Sequence, residues 1–149
     1  MSLLSFNSVI VPIDFSEECV GAVNTALELV NSPKQVTLVH VKCPTTYITC
    51  GTAYVQLDEA EHTKQIEKHF QQFIQNHQWQ ELNWTLLTGK PGEEIVAYAK
   101  EASASLIIIP SHGYHGIKRL MLGSVAERVV RLAPCPVIVL RRGEETTHH

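Results

Sequence analysis

Short apolar runs alternate with amphipathic stretches along the chain, and this alternation predicts strands and helices in turn. Runs of β-branched and other apolar residues between turn-forming residues are typical of buried strands. The predicted strands are residues 9–13, 36–41, 84–88, 106–109 and 137–140. Because helices separate strands that are apolar throughout, the predicted fold class is α/β: a doubly wound five-stranded parallel sheet with helices on both faces.

Apolar residues at helical spacing predict four helices between these strands. The first begins after Ser16, a predicted N-cap, and the second begins at Asp58. The third follows a glycine-rich turn. The fourth starts with Ser124 as a possible cap and ends near Leu132, which is predicted to face the core. Residues 44–56 show no clean period and are predicted to form a loop.

Length and composition narrow the classes of protein that the chain can be. With 149 residues we expect one domain over 1–149, with a frayed tail at 143–149. A net charge of −3 argues against nucleic acid or an anionic membrane as a partner. No apolar run approaches about 18 residues, so no membrane span is predicted. The four cysteines form no C-x-x-C pair, which favours reduced thiols and a cytoplasmic location.

Positive charge is concentrated near the end of the chain. Residues 104–142 carry six basic side chains against one acid, Glu127. Such an excess is expected at an anion site, and it is equally expected on a solvated helix face. Charge alone therefore leaves both interpretations open.

The loops after the first and fourth predicted strands hold the residues best suited to bind a ligand. In a sheet of order 3-2-1-4-5 the strand order reverses between these two strands, and ligands of open α/β sheets bind at that reversal. Asp14 ends the first strand, and a long loop over 110–122 follows the fourth. Nine residues separate Gly113 from Gly123, and Gly123-Ser124 opens a helix. Free amides there suit a phosphate, although a glycine turn capped by serine has the same appearance.

Other phosphate and catalytic motifs do not match. Gly89-Lys90 is followed by Pro91-Gly92, so the chain has no P-loop, and no G-x-G-x-x-G follows the first strand. The acids after that strand would repel a phosphate, whereas Asp14 suits the hydroxyls of a ribose. The pair His112 and His115 lacks a third metal ligand, and no catalytic triad is recognisable. We therefore predict no metal-ligating and no catalytic residue.

Four segments of the chain form a recognisable set: V-P-I-D-F-S, L-V-H-V, P-S-H-G-x9-G-S-V-A-E-R-V and A-P-C-P-V-I-V-L. Together they resemble the universal stress protein family, a set of small dimeric proteins of which many bind ATP, and the resemblance covers residues 9–141. It implies the strand order 3-2-1-4-5, a homodimer that uses Val137–Leu140, and ATP or AMP as ligand, with or without magnesium.

The resemblance also implies the residues of a nucleotide site. The adenosine would lie against the first two strands (Pro12, Asp14 and Val41), and the phosphates against the glycine loop and the helix start (Gly113, Gly123, Ser124 and the amide of Val125). With their neighbours in the same loops, the predicted site residues are Pro12, Ile13, Asp14, Val41, Ile109, Pro110, Ser111, His112, Gly113, Gly116, Gly123, Ser124 and Val125.

One residue departs from the nucleotide-binding motif of the family, G-x2-G-x9-G-[ST]. Pro110 stands where the first glycine would be, and proline has no N–H to offer a ligand. Three hypotheses follow: a regulatory module that binds ATP or AMP, a dimeric interaction protein that has lost its nucleotide because of Pro110, and a slow ATP hydrolase. The third is the least favoured, because no general base is apparent beside the phosphate loop.

Overall fold

The computed structural model describes residues 5–44, 49–50, 53–54, 58–111 and 122–141. In chain order the elements are β1 (Val9–Pro12), α1 (Glu17–Leu29), β2 (Val36–Lys42), β3 (Thr49–Cys50), β4 (Ala53–Tyr54), α2 (Glu59–Asn76), β5 (Asn83–Thr88), α3 (Pro91–Glu101), β6 (Leu106–Pro110), α4 (Ser124–Leu132) and β7 (Val137–Leu140). A short 3₁₀ turn, Pro33–Gln35, precedes β2. None of the helices in these described ranges is long and apolar enough to cross a bilayer.

The main sheet is parallel and has the order β5-β2-β1-β6-β7. This is the predicted order 3-2-1-4-5, counted over the strands of this sheet, and the prediction is confirmed. The loop predicted over 44–56 needs one correction. β3 and β4 lie within it and pair antiparallel, Thr49 with Tyr54 and Cys50 with Ala53.

The core consists of two apolar layers, one on each face of the sheet. Alternate residues of a strand point to opposite faces. Val9 and Val11 therefore pack with α1 and α2, whereas Ile10 packs with α3 and α4. All four residues of β1 are buried, as expected of a central strand that is covered on both faces.

Two predictions for α4 are wrong in detail. Gly123, not Ser124, is the N-cap, and Ser124 is the first helical residue. The buried stripe contains Ala126 and Val129, while Leu132 is 45% exposed and does not face the core. The apolar residues of this short helix fit two neighbouring stripes, and packing against the sheet selects the one through Ala126.

Candidate functional site

The strand order reverses between β1 and β6, the two neighbours at the centre of the sheet. The chain after β1 and the chain after β6 leave the same edge of the sheet, because all five strands are parallel. Asp14 and Ser111 are therefore carried on adjacent loops. The structure thus joins at one edge the two loops that the sequence identified.

The two strands stop pairing before they end. β1 and β2 pair over Val9–Pro12, but β1 and β6 pair only at Val9 with Leu106 and at Ile10 with Ile107. The seam between β1 and β6 is therefore unpaired from Val11 onwards. The carboxyl ends of the two strands beyond Ile10 and Ile107 are called the crevice below.

Two prolines explain why this seam opens. The backbone groups of alternate strand residues point to opposite neighbours. The Ile13 N–H donates to Val39 of β2 at 2.8 Å, so the preceding residue, Pro12, faces β6. The Ser111 N–H donates to Leu140 of β7 at 2.8 Å, so Pro110 faces β1. Each strand thus lacks an N–H donor where it would bond to the other, and the ladder ends.

Asp14 lies on the β1 side of the crevice and is exposed. Its Oδ1 accepts from the Ser16 N–H at 3.0 Å and from the Ser16 hydroxyl at 2.5 Å. Ser16 occupies the predicted N-cap position of α1, but its side chain does not cap the helix. The serine instead holds the carboxylate in one orientation.

The residues on either side of the loop after β6 are joined by a backbone hydrogen bond. The Gly123 N–H donates to the Ser111 carbonyl at 2.7 Å, so Ser111 and Gly123 lie side by side. His112, Gly113 and Gly116, which were predicted to belong to the site, lie outside the described residues, as do the basic residues Lys118 and Arg119.

The N-terminus of α4 offers backbone donors at this position. The first helical N–H groups have no acceptor within the helix, and in the described part of the chain no side chain caps α4. These are the amides of Ser124, Val125 and Ala126. Gly123 was predicted to belong to the phosphate site, but its amide already donates to the Ser111 carbonyl. Ala126 was not among the predicted site residues, because the resemblance named only the amide of Val125 at this helix start.

The remaining predicted residues divide between the two faces of the sheet. Val41 and Ile109 pack in the layer of α3 and α4. Ile13 is buried in the opposite layer, against α1 and α2. The side chain of Ile13 therefore does not join those of Val41 and Ile109.

Cys19 lies next to the Asp14 loop but is not a nucleophile. It is fully buried, and its Sγ donates to the Ser16 carbonyl at 2.8 Å. Burial raises the pKa of the thiol to about 12, and the charge of Asp14 acts in the same direction. The thiol is therefore protonated at neutral pH.

Two of the basic residues near the end of the chain belong to the helix surface. Arg128 pairs with Glu93 of α3 at 3.2 Å, and Arg131 pairs with Glu127 one turn earlier. Their partners are carboxylates on α3 and α4, so these two arginines match the helix-face interpretation rather than the anion site.

Comparison with known families settles where the chain belongs. The model of the universal stress protein family matches residues 5–141. This chain is a member of the universal stress protein family. Universal stress protein YxiE of Bacillus subtilis is 30% identical over 149 residues, which cover 91% of this chain and 99% of that protein.

Solved universal stress proteins share the fold. UspA from Lactobacillus plantarum superposes with a TM-score of 0.63 at 27% identity, covering 91% of this chain and 98% of that one. A family member from Arabidopsis thaliana, solved with AMP bound, gives 0.56 at 18% identity, covering 92% and 93%. A universal stress protein in complex with cAMP gives 0.57 at 19% identity, covering 91% and 97%. The last two likenesses concern the fold, and the nucleotides are those of the proteins named.

Proposed function

We propose that this universal stress protein binds an adenine nucleotide, ATP or AMP, in the crevice between β1 and β6 and acts as a regulatory module in a stress response. The observation that carries the proposal is the seam that opens beyond Ile10 and Ile107, with Asp14 on one side and the uncapped start of α4 near the other. We further propose that residues 1–149 form one such domain, that it works in the cytoplasm, and that magnesium accompanies ATP.

One side of the crevice favours neutral hydroxyl groups and the other favours negative charge. These preferences match the ribose and the phosphates of a nucleotide. The Asp14 carboxylate accepts hydrogen bonds and repels phosphate, so it suits ribose hydroxyls. The amides of Ser124, Val125 and Ala126 and the positive end of the α4 dipole suit phosphate oxygens. Family members crystallised with AMP and with cAMP support this choice of ligand class.

Gly123 adds a second argument. Its φ of −60° and ψ of 157° are accessible to any residue, so the backbone conformation does not require glycine. A missing Cβ at this position would instead let a ligand approach the helix start closely. Because these φ and ψ angles are open to any residue, a larger residue here tests the site without backbone strain, at the smaller cost of a poorer N-cap.

The test is titration calorimetry with AMP and with ATP, the latter with and without MgCl₂. We expect wild type to bind and Gly123→Val to lose at least about tenfold in affinity, which corresponds to about 1.4 kcal/mol. Gly21→Val is the matched control, because a Cβ at Gly21 on the exposed side of α1 meets nothing within 4 Å. Wild type that fails to bind at millimolar nucleotide would contradict the proposal.

A second candidate function is a dimeric interaction protein that binds no nucleotide. Exposed apolar side chains on α4 favour it, since Val130 and Leu132 are each 45% exposed. β7 at the sheet edge adds four half-buried apolar residues. We propose that the homodimer forms through Val137–Leu140 under either function, so nucleotide titration is the measurement that separates the two.

We expect negligible ATP turnover. Asp14 is held by Ser16 and lies on the β1 side of the crevice, so it is placed to accept from a ribose rather than to activate water at a phosphate. The measurement is multiple-turnover phosphate release. Release that disappears in Asp14→Ala would contradict this expectation and favour the hydrolase.

A further inference from the structure

The turn that carries Asp14 has an unusual backbone. Phe15, the next residue, has a φ of +63°, in the left-handed region that bulky side chains rarely adopt. Such a conformation persists only where the surrounding structure holds it. The contacts of Phe15 and its neighbours therefore determine where the Asp14 carboxylate lies.

The ring of Phe15 is enclosed by aromatic side chains. It stacks on His69 with ring centroids 4.4 Å apart and lies 4.7 Å from His40. Phe70 and Phe73 of α2 approach edge-on at 5.4 and 5.5 Å. These rings hold the side chain of Phe15, and one of them, His40, also contacts the peptide link between Ile13 and Asp14.

His40 holds that peptide. Its Nδ1 lies 2.6 Å from the carbonyl oxygen of Ile13. A carbonyl oxygen can only accept, so Nδ1 carries the proton and donates it. The Ile13 N–H donates to the Val39 carbonyl of β2 at 2.8 Å, so both backbone polar groups of Ile13 are tied to β2. The imidazole N–H thus donates to the Ile13 carbonyl at the point where the chain leaves the sheet.

We propose that His40 is the positioning residue of the nucleotide site: its hydrogen bond to the Ile13 carbonyl fixes the turn at Phe15 and so aims the Asp14 carboxylate at the ribose. This inference rests on the proposed function for its ligand. His40 itself is half-buried beneath Phe15 and acts through Asp14. The linkage runs from the imidazole to the Ile13 carbonyl, then to the left-handed turn and the carboxylate held by Ser16.

The first measurement is AMP affinity by calorimetry in two His40 variants. His40→Leu removes the donor, and we expect roughly tenfold weaker binding. His40→Asn places an amide N–H near the position of Nδ1, and we expect affinity within about threefold of wild type. His77→Leu is the matched control, because it removes another Nδ1 contact to a carbonyl, that of Phe73 at 2.9 Å, at the far end of α2. It should leave AMP affinity unchanged.

The second measurement needs no ligand. The Ser16 amide donates to Asp14, so its hydrogen exchange reports whether the carboxylate stays in place. Exchange should accelerate at least about fivefold in His40→Leu and stay near wild type in His40→Asn and His77→Leu. Unchanged exchange or unchanged AMP affinity in His40→Leu would overturn the inference. If wild type binds no AMP, the proposed function fails, and the role of His40 toward a ligand fails with it. Ser16 exchange then still decides whether His40 holds the turn.

Discussion

Pro110 is the residue at which the chain departs from the nucleotide-binding pattern of its family, and the structure shows where its missing N–H would point. Ser111 donates to Leu140 of β7, and Ile107 donates to Pro136 just before β7. The position between alternate residues of this row, Pro110, therefore faces β1 and the crevice. The lost donor therefore points to the surface that a nucleotide would meet, and not to the pairing with β7. In Pro110→Gly the new N–H stays available to a ligand, because Pro12 still interrupts the pairing of β1 with β6.

We predict that Pro110→Gly tightens ATP and AMP binding by about one to two powers of ten, since one amide contact contributes about 1–3 kcal/mol. The greater flexibility of glycine offsets part of this gain. Paired calorimetric titrations of wild type and variant check the prediction. Equal affinities would mean that this amide position never contacts the ligand.

His40 also makes stability depend on pH. Burial lowers its pKa below the ordinary value of 6.5, and nearby His69 adds to this, whereas the Ile13 carbonyl and Asp14 act in the opposite direction. As the pH falls through 6.5, the unfolded chain takes up a proton on this ring and the folded chain does not. The unfolded state then binds more protons, so the free energy of unfolding falls until the folded pKa is passed.

Denaturant titrations at several pH values test this effect. His40→Asn keeps a donor but cannot titrate, so wild type should lose stability relative to this variant as the pH falls below 6.5. The difference in unfolding free energy between wild type and His40→Asn removes the contributions of the other histidines, which both proteins share. Parallel pH profiles for the two proteins would contradict the prediction.

At the scale of elements, the seam between β1 and β6 is the place where we propose that the nucleotide binds. Pro12 lacks the donor that would extend the pairing beyond Ile10. We predict that Pro12→Val restores this donor, adds about 0.5–1.5 kcal/mol to the free energy of unfolding, and weakens AMP binding because the crevice narrows. Denaturant titration and calorimetry measure the two effects.

Pro134→Val is the control for Pro12→Val, since Pro134 lies exposed between α4 and β7 and faces no open seam. It should change AMP affinity little. A Pro12→Val protein that is more stable and binds AMP as wild type does would show that the seam does not admit the nucleotide.

For the whole molecule, the edge of the sheet at β7 is the feature with the largest consequence. Within the described residues β7 pairs with β6 alone, and its four apolar residues are half-buried. An apolar edge strand favours pairing with another chain. We predict a homodimer at micromolar concentration that Val139→Lys converts to monomer, measured by light scattering.

Thr88→Lys is the control for Val139→Lys, since Thr88 is an exposed residue of β5, the strand at the opposite edge of the sheet. It should leave the dimer intact. A monomeric wild type, with Val139→Lys without effect, would contradict a dimer through β7.

The sequence by itself determined the class and order of the main elements. Apolar runs and helical stripes are local patterns, because each lies within the residues of a single strand or helix. The resemblance of the four segments to the family implied the strand order that the sheet has. The same patterns placed Asp14 after the first strand and Gly123 before the fourth helix, because the ends of strands and helices can be recognised from the few residues around them.

Only the tertiary structure decided how the candidate site is built. The sequence contains Pro12 and Pro110 but not the fact that both face one seam, because the direction of a backbone N–H depends on which strand lies beside it. The use of the Gly123 amide by Ser111, and of the Ile13 carbonyl by His40, links residues 12 and 27 positions apart in sequence. Contacts between residues so far apart form only when the sheet assembles, and no local pattern records them.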